Sequence, residues 1–490
     1  MKNVHPLPNL DFKFVCANTL IPLDDQQPMM FGDDPELADR LQRIRDQYFT
    51  TESVNKKLKL RNEYEKLVNQ EETLFGNSLK TVQLKSYRPF ESDTTANFFE
   101  PLHMFGFEKF DIVIANPPYI SAVVARKTMP TELRDSYKKI YRSANGAYDL
   151  YILFFELGFN LLHDDGVMVY ITPRKYLSAL YGQSFRAHIG LERLSKIADF
   201  YDDRVFKSAS VSTLISVYLG KPTTSQVSVD VFKNAVNLIS PTVTLFPRKT
   251  LVEFPENSWG YLITQNYELL HQSHRSQVLL ESALEVNNSS TVTESVEIRE
   301  ALSDKPKGLK MVNTGTMSPW ISRWGRDKYS NGPVKLMEPY LDPKKMNERR
   351  AGMYKSKKII ISKLSKRLVA TLDAKGEYAS ADTVFIFDFK EPWSMYVVAG
   401  ILNSSFMDNV YRTQFAGLNL PGEWYQFQAP QIRLLPLPDV NNQTKKYLET
   451  ISEVSKEIFE ILYEDYSADV STLQSKLDEA VYRAYGIDSI

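Results

Sequence analysis

A chain of 490 residues with 43% hydrophobic and 24% charged residues has the composition of a folded protein of about two to four domains. Its single cysteine, Cys16, excludes disulfides and a thiolate zinc cluster, and its six histidines show no H-x-x-x-H or H-E-x-x-H spacing, so no metal is expected. The net charge of -1 argues against a general polyanion binder, and no apolar run approaches the ~20 residues that span a bilayer. The polar start MKNVHPLPNLDF lacks the regions of a signal peptide, which predicts a cytoplasmic location without membrane contact.

In chain order, KFVCA (13–17) reads as a short strand running into the turn residues Asn18 and Thr19. From Asp33 to about Asn77 the sequence is charged, with helical spacing of Leu41, Ile44 and Tyr48 and then of Leu58, Leu60, Tyr64 and Leu67. This predicts an inserted helical hairpin within residues 33–100. Then follow the strand FDIVIA (110–115), a helix from Asp149 to His163, the strand GVMVYITP (166–173), a helix over Leu177–Ile189, the strand IADFY (197–201) and the alternating run VSTLISVYL. Strands alternating with helices indicate a doubly wound α/β sheet, whose ligands lie at the carboxyl ends of its strands. Asn18 and Asn116 both occupy such ends. Beyond Gly220 the alternation gives way to short strands separated by Pro, Gly and Asn turns as far as about Val440, which defines a second domain, 221–440. Residues 441–490 read as terminal helices; from Asp439 onward there are eleven acidic residues against five Lys and Arg.

The most informative motif is Asn116-Pro117-Pro118-Tyr119, directly after the apolar run FDIVIA. Such a four-residue string arises by accident in roughly one chain of this length in several hundred. Its residue types suit the methylation of a planar amino group. An exocyclic amine on an aromatic ring shares its lone pair with the ring, and it attacks a methyl donor only when acceptors hold its two hydrogens and let the nitrogen become tetrahedral. The Asn116 side-chain oxygen supplies one acceptor. The Pro117 carbonyl supplies the other on a stiffened turn, because proline keeps its C=O while its ring fixes φ. Tyr119 offers an aromatic face to an extruded base, a contact worth ~1–3 kcal/mol.

Charge is segregated. Between Lys305 and Lys375 there are eighteen Lys and Arg against five Asp and Glu. The stretches WISRWGRDKY and YKSKKIIISKLSKR interleave Trp320, Arg323, Trp324, Arg326 and Tyr354 with Lys363, Lys366 and Arg367. That mixture suits a surface that neutralises phosphates and presents flat and bidentate groups to bases, although a solvated basic face has the same composition.

These parts resemble, in order, the amino-methyltransferases of type IIG restriction-modification enzymes and their TaqI-like relatives, which methylate adenine N6 with S-adenosylmethionine. FVCANTLI is similar to the motif after the third strand, which puts Asn18 against the cofactor's adenine. FDIVIANPPY is similar to the catalytic motif, and the resemblance gives Asn116, Pro117, Pro118 and Tyr119 catalytic roles, Asn116 also lying beside the cofactor. GAYDLYILFFELGFNLLHDDGVMVYITPRKYL resembles the helix and strand that complete the pocket, with Tyr148 and Asp149 at its cofactor-binding lip. VFKSASVSTLISVY resembles the segment whose aromatic, here Phe206, stacks on the flipped base opposite Tyr119. WYQFQAPQIRLLPLPDV and VYRAYGID resemble the closing segments of the recognition domain and its terminal helices. The resemblance implies double-stranded DNA as partner and no metal for methyl transfer.

One departure is plain: the chain contains no Gly-x-Gly, whereas the methyl donor normally lies against a glycine-rich turn after the first strand. The expected architecture is a partial doubly wound Rossmann-like methyltransferase sheet (1–220), followed by a mixed α/β DNA-recognition domain and terminal helices. Its open sheet edges call for a polypeptide that supplies the glycine-rich half, with or without a nuclease, since no P-D…E-x-K cluster is evident in this chain. Two further readings stand beside this one. The chain is a non-catalytic DNA-specificity subunit or inactive gene remnant, or it methylates protein glutamine, for which Asn-Pro-Pro-Tyr also serves.

Overall fold

A computed structural model describes residues 11–24, 36–69, 79–91, 93–200, 211–232, 240–276, 278–331, 334–420 and 422–488. It comprises two units, one of Met1–Thr172, Glu192–Ser195 and Ser216–Thr223, the other of Pro173–Leu191, Lys196–Ile215 and Thr224–Ile490. The fold is α/β.

In the first unit, the charged stretch forms the expected hairpin of α1 (Leu37–Thr50) and α2 (Val54–Asn69). Leu41, Ile44, Tyr48, Leu60, Tyr64 and Leu67 enter its core around Phe12, whereas Leu58 faces solvent. Two short helices, α3 (Leu79–Ser86) and α4 (Pro101–Phe105), complete the insert. Arg45 is buried beneath it and donates to the carbonyls of Leu102 and His103, so its charge-assisted bonds fasten α1 to α4. KFVCA does not form a strand. It makes a single bridge, Ala17 to Ala96, with Asn18 N–H donating to Ala96 O at 2.8 Å. Without a regular ladder to extend, its alternation is not enough.

The FDIVIA run forms β1 (Phe110–Ala115), followed by α5 (Ala122–Thr128), α6 (Thr131–Ile140), α7 (Tyr151–Leu161) and β2 (Leu162–Pro173). β1 runs parallel to β2, with Ile112 opposite Val167 and Ala115 opposite Tyr170. The register shifts between Phe110 and Ile112, where a side chain on Gly166 would stand 2.8 Å from Asp111 O. α7 lies equally close to β2 at Gly158, whose absent Cβ leaves room for the Tyr170 hydroxyl, 2.4 Å from that position. Tyr170 there donates to Phe154 O at 3.1 Å and stacks on Phe155. A second neighbour of β2 is β4 (Thr213–Leu219). Among the described residues β1 has none, and Ile112 and Ile114 are 63% and 74% exposed.

In the second unit, the helix expected over Leu177–Ile189 is broken into short 3-10, α and π turns between Arg174 and Gly190. Arg186 causes much of this. It is fully buried and donates to the Tyr176, Ala179, Asn257 and Glu256 carbonyls, which bends the backbone around its guanidinium. β3 (Leu194–Asp199) pairs in parallel with β5 (Val227–Val231), and β5 antiparallel with β6 (Thr242–Phe246). Farther along, an antiparallel sheet orders Ala370–Asp373, Lys358–Ser362, Thr383–Phe387 and Glu285–Asn288. The terminal helices Lys445–Glu464 and Ser471–Ala484 pack on each other and on Met395–Asn403.

Two imidazoles make the fold sensitive to acid. Burial lowers the pKa of His103, next to Arg45, and that of His274, beside Gln414, each to about 4. An imidazole with a folded pKa below its unfolded value takes up a proton more readily when the chain unfolds. Stability is therefore full above about pH 6.5 and falls as the pH drops toward 4, by on the order of 1–3 kcal/mol per imidazole. Thermal unfolding followed by circular dichroism should show its midpoint falling between pH 7 and pH 5. A His274→Gln variant should show a smaller fall, and an unchanged pH profile would refute the assignment.

Candidate active site and nucleic-acid interface

The end of β1 turns outward at Asn116, which is exposed, while Pro117 is buried and Tyr119 half-buried. The turn is pinned from both sides. The Tyr119 hydroxyl donates to Ile171 O at 3.1 Å, at the carboxyl end of β2, and its ring meets Tyr151 edge to face at a centroid separation of 6.4 Å. Burial raises the phenol pKa to about 12, so the hydroxyl remains a donor at neutral pH. Tyr151 and the Ile171 carbonyl thus orient the motif; neither was singled out in the sequence, although both lie in its DLYILFFE and VYITP segments.

Of the other residues expected around the cofactor, Tyr148 joins an apolar cluster that has Asn18 and Asp149 as near chain neighbours. Leu20 and Ile21, just past Asn18, pack with Ile120, Tyr148, Leu150 and Tyr137. The Tyr141 hydroxyl donates to Leu20 O at 3.0 Å, and Leu150 N–H donates to Ile120 O at 2.8 Å. Asp149 has a positioning role: its carboxylate accepts the Ala122 N–H at 3.2 Å, at the start of α5. Burial raises the pKa of Tyr148, an effect that Lys138 and Arg134 partly offset. Phe206 lies outside the described residues.

The basic stretch is less uniform than its composition. Trp320 is only 2% exposed, with φ +74°, and exchanges backbone bonds with Ala370 and Leu372, so it packs inside rather than facing a ligand. Tyr354 is likewise buried, donating to Ser289 O and Ser380 O. Both corrections share a cause: a large aromatic contributes more by leaving water than by presenting its face to it. Trp324 is partly exposed, donates to Pro339 O at 3.0 Å and carries Lys310 over its ring at 5.3 Å. Arg323 pairs with Asp327, Lys363 with Asp382, and Arg326 lies 4.0 Å over the Tyr466 ring. Arg367 is exposed, although it donates to Asn403 O at 2.9 Å. Lys366 is exposed, and its ammonium has no ion-pair partner among the described residues. Those residues hold no group of three or more His, Cys, Asp or Glu suited to a metal.

Comparison with known proteins assigns two segments of the chain. The Eco57I restriction-modification methylase family matches residues 16–206, and the TaqI-like C-terminal specificity domain matches residues 330–437. The chain thus carries a segment similar to restriction-modification methylases followed by one similar to a TaqI-like specificity domain. Among its relatives, the type II restriction enzyme and methyltransferase RM.Eco57I of Escherichia coli is 31% identical over 30% of this chain and 14% of its own length. A putative type II restriction enzyme and methyltransferase of Methanocaldococcus jannaschii, RM.MjaORFECS2P, is 22% identical over 78% of this chain and 32% of its own. This methylase homologue thus spans less than a third of the length of either relative. Among solved structures, the type IIL restriction-modification enzyme MmeI in complex with DNA aligns with 89% of this chain and 60% of its own, at 12% identity and a TM-score of 0.49.

The two Trp and Lys placements lead to opposite expectations. Trp320→Ala should cost about 3–5 kcal/mol of stability, as for other large-to-small core changes, and show chiefly in thermal melting. Lys366→Glu should leave melting unchanged while weakening duplex binding and flattening its salt dependence. The reverse pattern would exchange their roles.

Proposed function

We propose that this chain forms the target-base and DNA-recognition part of a site-specific adenine-N6 DNA methyltransferase in a restriction-modification or related phage-defence system. The observation that carries this reading is the placement of Asn116-Pro117-Pro118-Tyr119: an exposed amide and a rigid turn, locked to β2 through Tyr119, at the carboxyl end of a parallel strand. Asn116 Oδ1 and the Pro117 carbonyl accept the two hydrogens of the extruded amine, which frees the nitrogen lone pair for attack. Tyr119 supports one face of the base, and Phe206 is assigned the other. The binding domain is the TaqI-like one, with Lys363, Lys366 and Arg367 toward phosphates.

S-adenosylmethionine supplies the methyl group in such a reaction. The residues present fit only one side of its site. Asn18, Asn116 and Tyr148 are the residues assigned to that side, but no Gly-x-Gly turn exists in the chain to cradle the methionine end. β1 offers a matching vacancy. Among the described residues its backbone is unpaired on the side away from β2, and Ile112 and Ile114 are exposed on an apolar parallel strand of a kind normally covered. The occupant we assign is the glycine-rich half of the same sheet, because it completes the ladder beside Asn116 and supplies the missing turn. The absence of that turn equally favours a second reading, a non-catalytic specificity subunit.

Two measurements separate these readings. Calorimetry on the chain alone is expected to detect weak or no binding of S-adenosylmethionine, and a dissociation constant in the low micromolar range would refute the split-site reading. In the assembled enzyme, Asn116→Ala should abolish methyl incorporation while a gel-shift titration stays nearly unchanged, because the amide acts on the amine in the transition state more than on the bound base. Normal incorporation by the variant would remove Asn116 from the chemistry. No incorporation by any assembled wild-type enzyme would favour the specificity subunit.

A further inference from the structure

The segment after the Asn116–Tyr119 motif holds a second feature. Ala122 to Arg142 contains six Lys and Arg against two acids, Glu132 and Asp135. No residue of α5 is buried, which is unusual for a helix beside a candidate active site, and Arg126 and Lys127 are exposed on it. α6 contributes Arg134 and Lys138. The two helices and the turn before α7 enclose a cleft of about 90 Å³, lined by Ala122, Arg126, Arg134, Tyr137, Lys138 and Tyr148. That is room for a small polar group or a few waters.

The polar groups around the cleft are incompletely used. Arg134 donates through Nη2 to Thr131 Oγ1 at 3.0 Å, but its Nε is buried with no hydrogen-bond partner. Lys138 pairs with Asp135 at 2.9 Å, while Arg126 has no ion pair among the described residues. A guanidinium with a desolvated, unpaired N–H is costly unless an anion reaches it. The cleft is also firmly placed. Glu156 on α7 accepts from Arg142 N–H and from Ser143 N–H and hydroxyl, which fixes the end of α6, and Asp149 holds the start of α5.

We propose that this cleft binds one backbone phosphate of the DNA strand carrying the target base, gripped by Arg126, Arg134 and Lys138. The inference rests on the reading of the adjacent motif as a base-methylation site. A phosphodiester fits the sign of the cleft, and arginine meets phosphate with directed, charge-assisted bonds. The Ile120–Leu150 bond couples the cleft to the motif, so a phosphate seated here sets the register of the strand from which the base is extruded.

The test uses the full chain and a fluorescein-labelled duplex, with anisotropy titrations over a range of salt concentrations. Neutralising one phosphate contributes a slope of about -0.9 in log affinity against log salt. The variant Arg126→Gln/Arg134→Gln/Lys138→Gln should therefore have a slope shallower by about 1, and the exposed pair Arg126→Gln/Lys138→Gln should shift it in the same direction without touching a partly buried residue. Lys127→Gln/Lys139→Gln, outside the cleft, should change it less. An unchanged slope in both cleft variants, with circular dichroism showing them folded, overturns the cleft alone. Equal flattening by the control pair also overturns it, in favour of diffuse charge. Failure of the wild-type chain to bind duplex at any salt overturns the DNA-recognition reading as well.

Discussion

A parallel strand in the middle of a sheet needs hydrogen-bond partners on both sides and apolar cover on both faces, and β1 has these on one side only. Every feature of the candidate site follows from that strand. Its pairing with β2 brings Ala115 opposite Tyr170, so the chain leaves the sheet at Asn116 within reach of the Ile171 carbonyl that anchors Tyr119. Gly158 and Gly166 permit the close approaches on which this depends, one letting α7 settle onto Tyr170 and the other letting β2 shift past Asp111. A side chain at either position would crowd the elements that carry the Asn116 turn. Among the described residues that side of β1 stays open, and an exposed apolar strand edge is an aggregation hazard unless another segment pairs with it.

Much of this was legible in the sequence. The hydrophobic run before Asn116, the helical spacing of the insert and the amphipathic terminal helices each depend on local periodicity, and each formed where it was expected. What failed depended on distant partners. KFVCA has strand composition but finds only Ala96 to bridge, while the helix expected after β2 is reshaped by Arg186, whose carbonyl partners include Asn257 and Glu256, some seventy residues away in sequence. No window of sequence contains that interaction. Leu58 shows the finer limit: it falls in the helical pattern but on the solvent side of α2, because Leu60 and Tyr64 already fill the facing stripe.

The site divides in the same way. Of the residues that support the motif, Tyr151 was not singled out in the sequence, and Asp149, which the resemblance puts beside a cofactor, accepts the Ala122 N–H. That is a positioning role, since it fixes where the chain goes after Tyr119.

Charge counting was the least reliable guide, and the reason is physical. Within the basic stretch, Lys358 is buried against Asp373, with its pKa lowered by burial against the pull of that carboxylate, and Arg350 is held by Glu294 at 2.7 Å. Lys310 pairs with Glu377, and Lys375 donates to the Tyr463 hydroxyl. These cations build the domain, and each counterion already provided inside the protein is one that DNA cannot release. In the shorter run Arg126 to Arg142, by contrast, Arg126 has no ion pair among the described residues and Arg134 Nε has no hydrogen-bond partner among them. What a run of lysine and arginine offers to a polyanion therefore depends less on their number than on which of them the fold leaves unneutralised.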